Sequence, residues 1–208
     1  MSDIQDTISL GPVRVYPDKT SIYHQGDETA RIYRVNSGVV MTYRLLANDE
    51  RQITGFCTEG DFFGLSSNET YRDNAITVTS SGIQSIKVSE IASDPKLQSF
   101  ILTHSCKKVE DTQNLLATLT RKSSEARVAA FLVMLAERKY RVAKTAKEIR
   151  IKMPMSRSDI ADYLGISRET VSRRLTDFQS AGVINLEDVH TAVIPKLDSL
   201  RSCAGVAA

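Results

Sequence analysis

The 208-residue chain has few cysteines, few histidines and no long apolar run. Its three cysteines, Cys57, Cys106 and Cys203, are far apart and odd in number, which argues against a disulfide framework and indicates reduced thiols. No apolar run approaches the ~18–20 residues that cross a membrane. The first residues lack the basic start and apolar core of a secretory signal, so we expect a cytoplasmic protein with no membrane partner.

Histidine is equally scarce. His24, His104 and His190 fall in three different segments, and no His-x-His or Glu-x-x-His pair falls in the predicted β segment at residues 12–90. Because such pairs supply the ligands of many protein metal sites, we predict no bound metal. Motifs of nucleophilic catalysis are absent as well, so a metal-dependent β-barrel enzyme is the weakest of the interpretations. We therefore do not expect an enzyme.

The charges of the chain are unevenly distributed. The net charge is only +2, but residues 121–180 hold 14 Lys/Arg against 7 Asp/Glu, whereas residues 1–120 hold 11 against 15. A local positive field attracts nucleic-acid phosphates and makes affinity depend steeply on salt. A basic block can also be a solvated surface without a partner, so the choice between the two interpretations depends on the motif that the block contains.

The basic block contains two short helical patterns joined by a turn, within Ser156–Ala181. Ser156 with Asp159 three residues later is an acidic variant of the capping box, so the first helix begins there. Gly165 permits the left-handed backbone that ends a helix, and Ser167 is placed to cap the second helix. The pattern predicts a helix-turn-helix, although two ordinary core helices with a solvated face would share it.

The second of these helices has an apolar stripe and an opposite polar face. Val171, Leu175 and Phe178 recur at helical spacing and form the predicted buried stripe. The polar face carries Arg168, Glu169, Ser172, Arg173 and Thr176. Arginine can donate two hydrogen bonds to guanine, and a carboxylate can accept from cytosine N4. The face therefore predicts a recognition helix that enters the major groove N-terminus first.

The first half of the chain has a different pattern. Residues 12–90 alternate short apolar runs with Gly, Asn and Asp turns, which predicts an all-β sandwich or barrel. From Asp94 to about Arg121 the pattern becomes helical and carries a heptad-like seam of Leu102, Cys106, Val109, Thr112, Leu116 and Leu119. The seam predicts a dimerisation helix, although the helix could also pack on its own β domain. Cys106 is expected to be a small filler there rather than a redox bridge.

The segments around the helix-turn-helix complete a winged helix. Ser123 or Ser124 is expected to cap a helix with a wide apolar face, followed by a loop at 140–148 and a strand at Glu148–Met155. After the recognition helix, the apolar pairs at 183–184 and 193–194 bracket a hairpin whose predicted turn is Glu187-Asp188. The small apolar residues 203–208 are expected to be disordered.

The segment MSRSDIADYLGISRETVSR resembles the helix-turn-helix of the cyclic-AMP receptor / fumarate–nitrate-reduction (CRP/FNR) family of bacterial transcription regulators. Glu169, Ser172 and Arg173 are similar to the FNR and FixK branches, whereas Arg168 is closer to the cyclic-AMP receptor branch. The glycine turns of the first half resemble the β-roll of this family, and residues 43–53 are similar to FixK. The resemblance therefore covers most of the chain.

The resemblance implies an α+β fold in three parts. These are an N-terminal β-roll (double-stranded β-helix, or jelly-roll) sensor-like domain at 1–93, a long dimerisation helix and hinge at 94–122, and a C-terminal winged helix-turn-helix at 123–208. It also implies a homodimeric activator that binds a TTGA-N6-TCAA-like inverted repeat and contacts RNA polymerase. The implied target genes serve low-oxygen respiration, denitrification or nitrogen fixation.

The resemblance also implies roles for single residues. Arg173 would contact guanine, Glu169 would accept from cytosine, and Ser172 and Arg168 would each add a base or phosphate contact. Arg157 and Arg174 are candidates for contacts with the DNA backbone, which position a protein without specifying sequence. Ser167 and Thr176 complete the predicted DNA-binding set.

The ligand pocket of the β-roll departs from the cyclic-AMP receptor pattern, which uses a Gly–Glu pair and an Arg–Ser/Thr pair. Here Gly64 is followed by Leu65-Ser66, and Arg72 is followed by Asp73, whose carboxylate would repel a cyclic phosphate. The lack of cysteine before Cys57 also excludes an FNR-type iron–sulfur cluster. We expect no cofactor and a ligand-free β-roll; an effector- or redox-dependent sensor is the alternative.

Overall fold

The computed structural model describes residues 11–47, 50–120, 123–140 and 148–205, with residues 139 and 140 described by their backbone alone. The chain divides into two compact units, Met1–Asp111 and Thr112–Ala208. The predicted hinge at Arg121-Lys122 and most of the predicted loop at 140–148 lie outside the described residues. Within the described ranges, no helix has the length and apolarity that crossing a membrane requires.

The first unit contains two antiparallel four-stranded sheets, with strand orders β1-β8-β3-β6 and β2-β7-β4-β5. The strands are β1 (Arg14–Tyr16), β2 (Ser21–Tyr23), β3 (Arg31–Ser37), β4 (Val40–Leu45), β5 (Arg51–Cys57), β6 (Phe62–Phe63), β7 (Asn74–Thr77) and β8 (Ser81–Lys87). The predicted β-roll is confirmed. The two-residue strand β6 was not predicted, because Phe62 and Phe63 form a strand only through their pairing with Tyr33 and Arg34.

Aromatic rings from both sheets fill the interior of the roll. Tyr23 stacks on Tyr71 with 3.9 Å between ring centroids, and Tyr33 stacks on Phe63 at 5.2 Å. The hydroxyl of Tyr71 donates to the carbonyl of Arg31 at 2.6 Å, so this polar atom is satisfied inside the core. Burial raises the pKa of Tyr23 and Tyr33 well above the ordinary tyrosine value.

Two helices follow the roll: α1 (Val88–Ser93), which was not predicted, and α2 (Pro95–Leu119). Asp94 caps α2, since its carboxylate accepts from the backbone N–H groups of Lys96 and Leu97. The first turns of α2 bury Leu97, Phe100 and Ile101, which form one apolar cluster with residues of β3, β6 and β8. One face of α2 therefore packs on the roll of its own chain.

The predicted seam of α2 is a different face. Leu102, Val109 and Leu116 are 64%, 55% and 60% exposed. Cys106 and Thr112 are exposed as well, and Leu119 is half-buried. The seam is therefore an apolar strip that the single chain leaves largely open to water.

The second unit contains four helices and a small sheet. Its elements are α3 (Ser124–Tyr140), β9 (Ile149–Lys152), α4 (Arg157–Leu164), α5 (Arg168–Ser180), β10 (Asn185–Asp188), β11 (Thr191–Ile194) and α6 (Leu197–Ala204). The Ser123 hydroxyl oxygen accepts from the N–H groups of Glu125 and Ala126, which confirms Ser123 as a cap of α3. The strand order β10-β11-β9 and the two central helices confirm the winged helix.

Two predictions for the end of this unit are wrong. The hairpin turn is at Val189-His190, and Glu187 and Asp188 belong to β10 instead. Residues 203 and 204 are helical, because α6 packs on α3 and buries Leu200 and Ala204. Residues 206–208 of the predicted disordered tail lie outside the described residues.

Candidate nucleic-acid interface

Helix α4 has the predicted capping box at its start. The Ser156 hydroxyl oxygen accepts from the Asp159 N–H at 3.1 Å, and Asp159 Oδ2 accepts from the Ser156 N–H at 3.0 Å. Gly165 ends the helix with φ 60° and ψ 44°, the left-handed conformation that glycine adopts without steric cost. The buried face of α4 includes Ile160 and Leu164, as the apolar spacing predicted.

Helix α5 begins at Arg168, three residues after Gly165. The Ser167 hydroxyl oxygen accepts from the Thr170 N–H at 3.2 Å, which confirms Ser167 as the cap. Val171, Leu175 and Phe178 are 0%, 2% and 3% exposed, so the predicted buried stripe is also confirmed. Residues of α4 and α5 thus form a compact helix-turn-helix in which local capping sets both helix starts.

The opposite face of α5 is open. All five residues predicted on it are exposed: Arg168, Glu169, Ser172, Arg173 and Thr176. The Thr176 hydroxyl donates to the Ser172 carbonyl at 3.1 Å. Within the part of the chain that the structure describes, the side chains of Arg168, Glu169 and Arg173 have no hydrogen-bond or ion-pair partner. Two arginine forks and one carboxylate are therefore available to hydrogen-bond base edges.

Arg157 and Arg174, the two residues predicted to contact the DNA backbone, are hydrogen-bonded within the protein, unlike the open residues of α5. Arg157 Nη2 donates to the Val189 carbonyl at 2.9 Å, and burial lowers its pKa. Arg174 Nε donates to Ser124 Oγ at 3.0 Å, and its Nη1 donates to Asp177 Oδ2 at 2.9 Å. Both side chains therefore make contacts within their own domain, which the sequence analysis did not foresee.

The acidic residues of the wing have partners. Arg150 Nη2 lies 2.5 Å from Glu187 Oε2. Asp188 Oδ1 accepts from the His190 N–H at 2.6 Å, and this hydrogen bond, with another from Thr191, lowers the pKa of Asp188. No local pattern indicates the Arg150–Glu187 pair, since the two residues lie on strands that only β11 joins.

The two halves of the chain match known domain families. The Crp-like helix-turn-helix domain matches residues 126–203, and the Cyclic nucleotide-binding domain matches residues 13–93. The nitrogen fixation regulation protein FixK of Azorhizobium caulinodans is 33% identical over 95% of this chain and 81% of that protein. The chain belongs to the CRP/FNR family of transcription regulators.

Two further CRP/FNR proteins are similar to this chain over most of its length. The transcriptional activator protein FnrA of Stutzerimonas stutzeri is 30% identical over 98% of this chain and 83% of its own length. The solved structure of FixK2 from Bradyrhizobium japonicum has a TM-score of 0.83 at 28% identity, covering 94% of this chain and 98% of that one. The chain is thus a FixK-like, DNA-binding transcription regulator and not an enzyme.

The β-roll of this CRP/FNR protein departs from the cyclic-AMP receptor pattern at the residues that follow Arg72. Asp73, beside the exposed Arg72, forms an ion pair with Arg44 at 2.6 Å and accepts from the Thr54 hydroxyl at 3.2 Å. In place of the Ser or Thr of the cyclic-AMP receptor pattern, the residue after Arg72 is therefore a carboxylate that is already paired within the roll. The stacked rings of Tyr23 and Tyr71 already occupy the interior of the roll.

The histidines and cysteines lie in different surroundings. His24 is a surface residue whose ring contacts Ser21 and Asp27. In the described ranges, no three His, Cys, Asp or Glu side chains lie together in a way that could hold a metal. Cys57 is buried, and burial raises the pKa of Cys203, which makes its thiol less reactive than an exposed one.

Proposed function

We propose that the chain acts as a homodimer that binds an inverted-repeat operator of the TTGA-N6-TCAA type and activates transcription. The observation that carries this proposal is the open face of α5, where Glu169 and Arg173 are exposed at adjacent turns without a partner in the described part of the chain. Arg173 is assigned to guanine and Glu169 to cytosine, because a fork of donors and a carboxylate acceptor match those base edges.

The remaining residues of the face supplement these two contacts. Arg168 and Ser172 each take a base or phosphate, and Ser167 and Thr176 lie at the margins of the contact. All four are exposed and lie on α5 or at its cap. The basic block at 121–180 adds the sequence-independent attraction to the DNA backbone.

A dimer is supported by the open seam of α2 and by the size of the reading surface. One recognition helix contacts only a few base pairs, and two-fold proteins read inverted repeats about one helical turn apart. The exposed seam residues Leu102, Val109 and Leu116 recur at heptad-like spacing, as a parallel coiled coil requires. A second copy of the chain would cover this apolar strip.

The names of the relatives support the target genes and the protein partner that we propose. The names FixK and FnrA belong to a nitrogen fixation regulator and a transcriptional activator. We assign this chain to genes of low-oxygen respiration, denitrification or nitrogen fixation, with RNA polymerase as its protein partner. Since these partners are the chromosome and the transcription machinery, its site of action is the cytoplasm.

The proposal is tested by selecting bound sites from random duplex DNA with purified protein and no added ligand. Enrichment of a symmetric TTGA–TCAA-like site is expected, because the open face needs no effector to form. The same selection with a Glu169→Ala/Arg173→Ala variant should yield no consensus at the inner bases. Failure of the wild-type protein to enrich any site, with enrichment restored by a small molecule, would support the effector-dependent sensor instead.

A further inference from the structure

Arg173 and Arg174 are neighbours on α5 with opposite environments. Arg173 is exposed and has no partner in the described residues. The side chain of Arg174 is only 29% exposed, and two of its donors are engaged, Nε with Ser124 Oγ and Nη1 with Asp177 Oδ2. The carboxylate of Asp177 also offsets the charge of Arg174, so this guanidinium is a poor candidate for binding phosphate.

The partner of Arg174 lies at the start of another helix. Ser124 is the first residue of α3, and only residues 120–123 separate α3 from the end of α2 at Leu119. The Arg174–Ser124 hydrogen bond therefore joins the middle of the recognition helix to the place where the chain enters the DNA-binding unit. It links residues that are 50 positions apart in sequence.

A second arginine joins the same turn of α3 to the other helix of the motif. Arg127 Nη1 donates to the carbonyl of Leu164 at 3.2 Å and to that of Gly165 at 3.3 Å. These carbonyls end α4, where the helix leaves its last acceptors unpaired. The first turn of α3 is thus hydrogen-bonded to the end of α4 and to the middle of α5.

We infer that Arg174 is a positioning residue, which sets the orientation of the recognition helix through its bond to Ser124 and does not contact DNA phosphate. The inference rests on the proposed function, because orientation matters only if α5 contacts base edges. Bidentate base contacts depend on angle, so a loosened α5 loses specific binding first. Attraction to random DNA depends on the number of charges near the phosphates and should change little.

Ser124→Ala separates the two roles of Arg174, since it removes the acceptor without changing any charge. We expect Ser124→Ala to bind the selected operator roughly three- to tenfold more weakly, which corresponds to the net contribution of one typical hydrogen bond. Binding to random DNA and the slope of log affinity against log salt should stay at the wild-type values. Arg174→Ala should lose the same preference for operator over random DNA, and the double variant should add little to that loss.

Ser123→Ala is the matched control. It removes a hydroxyl at the same helix start, where Ser123 caps α3 and the neighbouring Ser124 is the residue that accepts from Arg174. If loss of a hydroxyl loosens α3 in general, Ser123→Ala shows it as well. A loss of operator binding that matches that of Arg174→Ala is expected for Ser124→Ala and not for Ser123→Ala. A salt slope that falls by about one unit in Arg174→Ala, with Ser124→Ala unchanged, would identify a phosphate contact and overturn the inference.

A measurement without DNA keeps this test separate from the proposed function. Thermal unfolding of the four proteins of the Ser124→Ala and Arg174→Ala cycle should show non-additive shifts in the melting temperature, as expected for two residues in contact. Additive shifts would overturn the inference whatever the protein binds. Non-additive shifts in a protein that selects no operator would refute the proposed function and leave the link between α3 and α5 standing.

Discussion

Arg150 on β9 and Glu187 on β10 form a salt bridge across the wing, with 2.5 Å between Nη2 and Oε2. The strand between them is β11, so the pair spans the width of the three-stranded sheet. The wing tip at Val189 is 64% exposed, and its carbonyl accepts from Arg157 at the start of α4. The first helix of a helix-turn-helix crosses the DNA backbone, so this bond keeps the wing tip on the side of the domain that we propose to face DNA.

Arg150→Ala should therefore weaken DNA binding. It removes a positive charge and leaves the Glu187 carboxylate unpaired on the same side, but both groups are partly exposed, so we expect no more than about a tenfold loss. The affinity for selected and random DNA should fall alike, because neither residue lies on the recognition helix. Titrations at two salt concentrations would measure the effect.

Glu187→Gln is the companion variant. On its own it should leave affinity unchanged or raise it, and added to Arg150→Ala it should recover part of the loss. If Arg150→Ala and the double variant bind equally weakly, repulsion by the unpaired carboxylate is not the cause. Arg150 would then act only through its own charge.

The base-reading residues lead to a second prediction. Glu169→Ala and Arg173→Ala should each lose about 1–3 kcal/mol of discrimination between the selected operator and one altered at the matching base pair. Gln179→Ala is the control, since Gln179 is exposed on the last turn of α5, away from the N-terminal residues that we propose to enter the groove. Binding to a panel of operator variants would check the assignment; equal losses on operator and random DNA would contradict it.

The capping residues of the helix-turn-helix could be predicted from sequence because their partners are local. Ser156 bonds to Asp159 three residues away, and Ser167 bonds to Thr170 at the same spacing. Helix caps are decided within one turn of the chain, so residue type and spacing suffice. The buried stripe of α5 followed for the same reason, since it depends only on helical periodicity.

The predicted position of the wing turn was wrong because the apolar pair at 183–184 does not belong to the hairpin. The backbone N–H groups of Val183 and Ile184 donate to the Phe178 carbonyl at 2.9 and 3.4 Å, which closes the end of α5. Strand β10 begins only at Asn185, where pairing with Val193 of β11 starts. An apolar pair after a helix can thus belong to the helix end. Where the strand begins depends on the register of its pairing with the neighbouring strand, which cannot be read from the sequence.

The contacts of Arg174 and Arg157 could not be predicted from the sequence for a related reason. Their partners, Ser124 and Val189, are 50 and 32 residues away. Sequence spacing placed Arg174 beside Arg173 and suggested similar surroundings for both. Only the packing of α3 against α5 makes one arginine structural and leaves the other open.

The seam of α2 gives a third prediction. Leu116→Glu should weaken or abolish the dimer, because a charge at the centre of an apolar two-stranded interface has to be desolvated. Asn114→Glu introduces the same charge at an exposed position of the same helix turn, about 200° away around the helix axis at 100° per residue. Sedimentation velocity should show a monomer for Leu116→Glu and a dimer for Asn114→Glu.

DNA binding should follow the dimer in these two variants. A monomer carries one recognition helix and should lose nearly all preference for the inverted repeat over a single half-site. Wild-type behaviour of Leu116→Glu in sedimentation would refute the seam as the interface. The helix would then present its apolar strip to some other partner.

Two glycine turns of the β-roll provide the last prediction, since they share a backbone conformation and differ in surroundings. Gly38 has φ +86° and Gly60 has φ +87°, which an L side chain adopts only with strain. A Cβ on Gly38 would lie 2.6 Å from the Ser80 carbonyl oxygen, whereas a Cβ on Gly60 would meet no atom within 4 Å. Both Gly→Ala variants are therefore destabilised by left-handed backbone strain, about 1–2 kcal/mol. Only Gly38→Ala is destabilised further by a clash with rigid backbone.

We expect Gly38→Ala to be less stable than Gly60→Ala by about 1–3 kcal/mol, the usual cost of forcing extra volume into a packed site. Urea unfolding followed by tyrosine fluorescence would measure it, because Tyr23, Tyr33 and Tyr71 lie in the roll that both turns belong to. Equal midpoints for the two variants would mean that the turn at Gly38 opens without cost. The close approach of Gly38 to Ser80 would then contribute nothing to the stability of the roll.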